Sequence, residues 1–227
     1  MTPTQVAGMG NSRVLLCSCG GAHTAALTES GALWTWGEGG WGQLGHSDGQ
    51  DCVSPVQLER KMFGGARIAM VACGGGHTCA ISEAGHLFSW GSGLWGQLAN
   101  GARTDRLAPG LVDPALLAHA PCVLVACGAN HTAVITVQGS SGHVAADDAS
   151  ARHGGSGGIG GGGTTLFTWG RGEDGRLGHN DAEDRLVPTP VRGAWQQEQE
   201  PAHTALRARQ ALGKVLSSVL SRSRSRL

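Results

Sequence analysis

The chain has 227 residues, room for one or two ordinary domains, with a skewed composition: 39 Gly, seven Trp, three Phe, no Tyr and only 15% charged residues. Its zero net charge conceals a split. Residues 1–202 hold all 17 acids against 11 Lys/Arg, a net of −6, while Arg207, Arg209, Lys214, Arg222, Arg224 and Arg226 in the tail supply +6. That excludes a basic nucleic-acid footprint on the body and leaves a weak one in the tail.

The N-terminus, residues 1–12, is a lead-in in which "MTPTQVAGMGNS" offers no charged region followed by an apolar run, so a secretory signal is not expected. No stretch of about 18 apolar residues occurs, so no membrane span is expected either. Seven cysteines, an odd number, fit a reducing compartment and point to the cytosol or nucleus.

From Arg13 the chain repeats itself. "RVLLCSC", "RIAMVAC" and "PCVLVAC" are short apolar runs that each end just before a glycine, Gly20, Gly74 or Gly128. "HTAALT", "HTCAIS" and "HTAVIT" follow, then "ALWTW", "HLFSW" and "TLFTW". Cys19, Cys73 and Cys127 are 54 residues apart, as are His23, His77 and His131. Trp36 and Trp90 keep that spacing, but Trp90 and Trp169 are 79 apart because of the Gly/Ser-rich insertion 140–164. The units are repeat 1 over 13–67, repeat 2 over 68–121 and repeat 3 over 122–193, followed by the tail 194–227. A period of this length marks a repeat architecture, four-stranded propeller blades included.

Within each unit the pattern predicts strands joined by tight turns. "ESG" and "EAG" are three-residue hairpin links whose glycine takes a positive φ. Trp34, Phe88 and Phe167 share a strand face with Trp36, Trp90 and Trp169, while Leu33, Leu87 and Leu166 occupy the other. Apolar residues on both faces predict sheets covered on both sides. Burying one Trp or Phe is worth about 4–6 kcal/mol before entropy, so an aromatic pair dominates each contact between units. The repeated motif predicts architecture, and the body is all-β.

The residues "VACGGGHTCAISEAGHLFSWGSGLWGQL" and their counterparts resemble the regulator of chromosome condensation repeat, with Gly, His-Thr, Trp-Gly and Gly-Gln-Leu in order. The likeness runs from about Arg13 to Gly193, with departures at Ala99, where Gly45 and Gly178 stand, and at Arg176, where Gln43 and Gln97 stand. It implies blades of a propeller that is usually seven-bladed. The expected fold is therefore a partial, open β-propeller of about three four-stranded blades, followed by a short C-terminal helix in the basic tail. Three blades fall short of the about four to eight that close a ring. This predicts a slice of a longer protein, or self-association through the uncovered faces.

The family likeness implies a non-enzymatic scaffold for protein partners. Two alternatives are nucleotide exchange on a Ran-type small GTPase, and the propeller portion of a larger ubiquitin ligase or ultraviolet-B-receptor-like protein. No residue matches an exchange wedge, and the receptor's photosensing Trp position falls on Gly21, Gly75 and Ala129 here.

Chemistry finds little support. The recurring cysteines sit one per unit where a small buried residue is wanted, whereas structural zinc needs about four ligands converging on a point. The repeated histidines are expected to bond backbone within their own blade. "GIGGGG" at 158–163 matches a dinucleotide fingerprint only by being a glycine run, with no strand before it and no helix after it. No catalytic residue, cofactor or metal is expected. The candidate contact positions are Ala22, Gly76 and Asn130 in the turns before the histidines, and Trp41, Gln43, Trp95, Gln97, Asp174 and Arg176 in the Gly-rich loops.

Overall fold

The computed structural model describes residues 2–138 and 163–192; the basic tail with its expected helix and nearly all of the insertion lie outside them. Twelve strands form three meanders. Blade 1 holds β1 (Val14–Cys19), β2 (His23–Thr28), β3 (Leu33–Gly37) and β4 (Cys52–Gln57). Blade 2 holds β5 (Ile68–Cys73), β6 (His77–Ser82), β7 (Leu87–Gly91) and β8 (Arg106–Leu111). Blade 3 holds β9 (Cys122–Cys127), β10 (His131–Val137), β11 (Thr164–Gly170) and β12 (Arg185–Pro190).

The register repeats with the sequence. Thr24 pairs with Trp36, Thr78 with Trp90 and Thr132 with Trp169, and the same threonines pair on their other side with Cys19, Cys73 and Cys127. Cysteine, threonine and tryptophan thus share one face of each blade. The hairpin glycines Gly31 and Gly85 have φ of +73° and +82°, as the turn requires. In blade 3 the ladder runs to Val137 opposite Thr164, so the insertion leaves from a hairpin that is paired to its base.

Blades stack face to face. One core joins Ala25, Leu27 and Leu33 of blade 1 to Val71, Phe88 and Trp90 of blade 2. A second joins Cys79, Ile81 and Leu87 of blade 2 to Val134, Phe167 and Trp169 of blade 3. Trp90 and Trp169 are wholly buried. Apolar residues on both strand faces are covered on both sides in blade 2, where all six residues of β6 and all five of β7 are buried.

Short 3-10 turns, Arg60–Phe63 and Pro114–Leu117, join the blades and lie outside the strand pattern of the repeat. Each plugs a core with one apolar side chain, Phe63 or Leu117, both 3% exposed. Phe63 meets Phe88 edge-on at 5.3 Å between ring centres and Trp90 at 6.0 Å. Asp113 caps the second turn by accepting from the Ala115 amide at 2.9 Å.

Pairing of His23 with Gly37, His77 with Gly91 and His131 with Gly170 fixes which loops are neighbours. The turns before the histidines and the long loops after the Trp-Gly pairs emerge at one end of the blades. The insertion emerges at the other.

Candidate interaction face

The loop end is built on a ladder of hydrogen bonds between blades. His23 Nε2 lies 2.8 Å from Thr78 Oγ1, and His77 Nε2 lies 3.0 Å from Thr132 Oγ1. Each threonine hydroxyl donates onward, Thr78 to the Gln43 carbonyl at 2.8 Å and Thr132 to the Gln97 carbonyl at 3.1 Å. Its oxygen must therefore accept from Nε2–H, which leaves Nδ1 as the unprotonated nitrogen. The same carbonyls receive the indoles: Trp90 Nε1 donates to Gln43 at 3.0 Å and Trp169 Nε1 to Gln97 at 2.8 Å. The expectation that the histidines bond backbone within their own blade is corrected for His23 and His77: each bonds a side chain of the next blade, 55 residues on.

Burial lowers the pKa of His23 to about 4 and that of His77 to about 3. For His77 the neighbouring imidazoles His23 and His131 add to the effect. Among the described residues Nδ1 of His23, His77 and His131 faces no partner, so a second proton would have nothing to bond. These rings are neutral struts. The glycine three residues before each is fixed by contact: a Cβ at Gly20, Gly74 or Gly128 would come within 2.3, 2.2 or 2.0 Å of the imidazole Cε1. Gly75 is held just as closely, since a Cβ there would lie 2.7 Å from the Ala129 carbonyl oxygen.

The loops are held by two further repeated bonds that the sequence reading passed over. Asp51, Asp105 and Asp184 accept from the amides of Gly39, Gly93 and Gly172 at 2.8, 2.8 and 2.9 Å. Thr35, Ser89 and Thr168 donate to the carbonyls of Leu44, Leu98 and Leu177 at 2.7, 2.6 and 2.6 Å. An acid 12 residues after each glycine was the available signal.

On this frame the candidate contact positions separate. Gln43 and Gln97 are 1% and 0% exposed, and their Oε1 atoms turn back to accept from the amides of Trp41 and Trp95 at 2.9 and 2.8 Å. Their side chains brace the loop and do not reach solvent. Trp41 stands 50% exposed beside Gly76, and Leu94 is 53% exposed in the next loop. Trp95 is half-buried, with the Arg171 guanidinium 4.5 Å above its ring and Arg103 at 6.0 Å. Asp174 is exposed, and half-buried Arg176 pairs with it at 2.7 Å and also with Glu173. Ala22 is exposed; Gly76 and Asn130 are half-buried. The result is an apolar spot over blades 1 and 2 beside a charged rim on blade 3.

The cysteines depart from one expectation. Cys73 is buried and its thiol is pushed up to about 12 by burial, whereas Cys19 is exposed and Cys127 half-buried. Cys19 occupies the same register as Cys73 but faces outward from blade 1, where no further blade lies among the described residues. His77, Cys79 and Cys127 bring three ligand atoms within 4.8 Å of one another. Nε2 of His77 is engaged by Thr132 and the Cys127 thiol by the Ala72 carbonyl at 3.5 Å, while His77 Nδ1 has no partner among the described residues; three such atoms are one short of the about four that structural zinc takes.

Twelve strands in three stacked meanders, bridged by a recurring His–Thr–carbonyl link, define an open propeller made of repeats. The chain belongs to the regulator of chromosome condensation (RCC1) repeat family, whose pattern matches residues 30–81, 84–135 and 165–198. The first two matched segments each run from the last two strands of one blade into the first two of the next. The chain is 34% identical over 187 residues to the ultraviolet-B receptor UVR8 of Arabidopsis thaliana, covering 82% of this chain and 36% of the receptor. It is 33% identical over 224 residues to the RCC2 homolog of Danio rerio, covering 86% and 40%, and 30% identical over 193 residues to the human E3 ubiquitin-protein ligase HERC2, covering 84% and 3%. Human WBSCR16 is a structural neighbour with TM-score 0.65 at 24% identity, over 85% of this chain and 43% of that one. Prp20p of Saccharomyces cerevisiae follows at 0.59 and 21%, over 82% and 40%. The chain thus spans about two fifths or less of the length of these relatives.

Proposed function

We propose that the chain is a non-enzymatic interaction module that binds protein partners through the loop end of its blades. The observation that carries this reading is Trp41. It is an indole left 50% exposed on loops that are otherwise tied down by bonds to Asp51 and Gln43. A rigidly held, half-exposed Trp is the kind of anchor on which interface energy concentrates, and Leu94 widens the spot. Asp174, Glu173 and Arg103 supply a charged rim that sets orientation more than affinity. Ala22, Gly76 and Asn130 form the adjoining floor. The seven unpaired thiols support placement in the cytosol or nucleus.

The test is proximity labelling in cells, comparing the unchanged chain with Trp41→Ala and Trp41→Phe. Loss of a discrete set of labelled proteins with Ala and recovery with Phe supports the reading; an unchanged set sinks it. Prp20p is reported with its binding properties to Gsp1p and histones, and on that ground exchange on a Ran-type GTPase is the second reading. Accelerated release of a fluorescent guanine nucleotide from such a GTPase by the purified chain would replace the scaffold reading with this one. A role as the propeller part of a larger ligase of the HERC2 kind uses the same loop face and is read by the same labelling.

A further inference from the structure

Trp41 and Trp95 hold the same place in successive loops and differ in what lies on them. Trp41 reaches from blade 1 to blade 2: a Cβ at Gly76 would lie 3.6 Å from its Cδ1 and 3.6 Å from the Cβ of Ser92. Both blades that frame it are described, so its 50% exposure does not depend on what flanks the outer blades. Trp95 is covered by two guanidiniums, Arg171 at 4.5 Å and Arg103 at 6.0 Å from the ring centre. The Arg171 amide donates to the Asn130 carbonyl at 2.9 Å, and the Ser92 amide donates in the same way to the Gly76 carbonyl at 2.8 Å. Ser92 thus holds beside Trp41 the position that Arg171 holds beside Trp95. Arg103, two residues before Asp105, is matched by Gly49, two residues before Asp51. Both cations are missing from the first loop, and its indole is bare.

The charges around Trp41 favour a cation. The loop from Glu38 to Asp51 carries Glu38, Asp48 and Asp51, all exposed, and no Lys or Arg. None of these three acids makes an ion pair among the described residues, whereas Glu173 and Asp184 hold Arg171 and Arg103 over Trp95. A guanidinium is drawn to an indole face by the ring quadrupole and stacks on it plane against plane. A lysine ammonium lacks that plane and gives up its water less readily. An apolar side chain would cover the ring and leave the acids unmatched.

We propose, resting on the reading of the loop end as an interaction face, that Trp41 receives an arginine of the protein partner. The partner's guanidinium stacks on the indole as Arg171 stacks on Trp95, and Glu38, Asp48 and Asp51 draw it there. Trp95 is not a second receptor, because its seat is filled from within the chain. The partner is thereby defined by its chemistry: a protein whose contact segment carries an exposed arginine.

The probe is acetyl-arginine amide, compared with acetyl-lysine amide and acetyl-leucine amide at equal concentration and ionic strength. Each is added to the full chain with isotope-labelled indole nitrogens and followed by NMR, with Trp41→Phe identifying the Trp41 signal. That signal should shift at least about threefold further with the arginine amide than with either other amide. The Trp95 signal should stay in place, and Ser92→Arg should abolish the Trp41 shift. An equal or larger shift with the lysine or leucine amide overturns the arginine seat. No shift with any of the three also overturns it, whether the face refuses a cation or is already taken by the chain's own tail. In cells, Ser92→Arg keeps the indole and covers it, so it should lose the same labelled proteins as Trp41→Ala. A set lost with Trp41→Ala but kept with Ser92→Arg overturns the arginine seat and leaves the interaction face standing. A set kept with both variants removes the interaction face itself and the seat with it.

Discussion

The middle blade and the outer blades are written in the same residues and live in different surroundings. Trp90 is wholly buried and bonded, while Trp36, 54 residues earlier, is half-buried on an open face. His77 is wholly buried, while His131 is half-buried. In β6 every residue is buried, whereas in β10 buried and half-buried residues alternate, because among the described residues only one face of that blade has a neighbour. Burial here belongs to the junction and not to the repeat. A stack of this kind has a stability close to a sum of blade terms and nearest-neighbour terms, and the comparison shows what one neighbour adds.

The largest expected difference lies in the indoles. Trp90→Ala should destabilise the chain by about 3–5 kcal/mol, because it empties a closed junction and leaves the Gln43 carbonyl with Thr78 as its one remaining side-chain donor. Trp36→Ala should cost about half of that or less, since the half-buried ring is already partly hydrated. Equal losses in urea unfolding would break the comparison.

Acid should act on a comparable scale. With the folded pKa of His23 and His77 below that of the unfolded chain, the unfolded state binds more protons as pH falls through 6.5. Their stabilising contribution is complete above that pH. It is lost on acidification at about 1.4 kcal/mol per unit for each ring, until the folded pKa near 4 or 3 is reached. His77→Gln should remove its share of that slope. A melt temperature independent of pH between 6.5 and 4 would contradict the neutral-strut account.

Thr132→Val comes third, at about 1–3 kcal/mol, because it leaves a buried imidazole donor and the Gln97 carbonyl each short of a partner. Thr24→Val, at a half-buried hydroxyl with no following imidazole among the described residues, should be within about 0.5 kcal/mol of neutral. The smallest effect is at Ala99. Ala99 sits at φ +57° where its counterparts are Gly45 and Gly178 at +80° and +77°. Relief of about 1–2 kcal/mol of left-handed strain is offset by the added freedom of the unfolded chain and by about 0.8 kcal/mol for the buried methyl, so Ala99→Gly should be within about 0.5 kcal/mol of neutral.

Strand order, hairpin glycines and the division of Trp and Leu between faces were legible because each is a local pattern with period two or a fixed turn. The His-to-Thr bond was not, because its partner lies one repeat plus one residue away, and a reading confined to one repeat finds only backbone near it. Gln43 and Gln97 looked like loop contacts for a similar reason. Their amides fold back on the loop, and their carbonyls serve a tryptophan 47 or 72 residues later. The exposure of Cys19 follows from the absence of a blade beside it among the described residues, which no residue type announces. Trp41 and Trp95 were indistinguishable as letters; Arg171, from the following blade, covers one and leaves the other bare.

The central claim is that the blades are tied together through the His–Thr link and not merely stacked. A double-mutant cycle on His77→Ala and Thr132→Val, read by urea unfolding, tests it most directly. The account predicts that the double variant loses less than the sum of the single losses, with a coupling of about 1 kcal/mol or more. Single losses that add to within about 0.3 kcal/mol would contradict it.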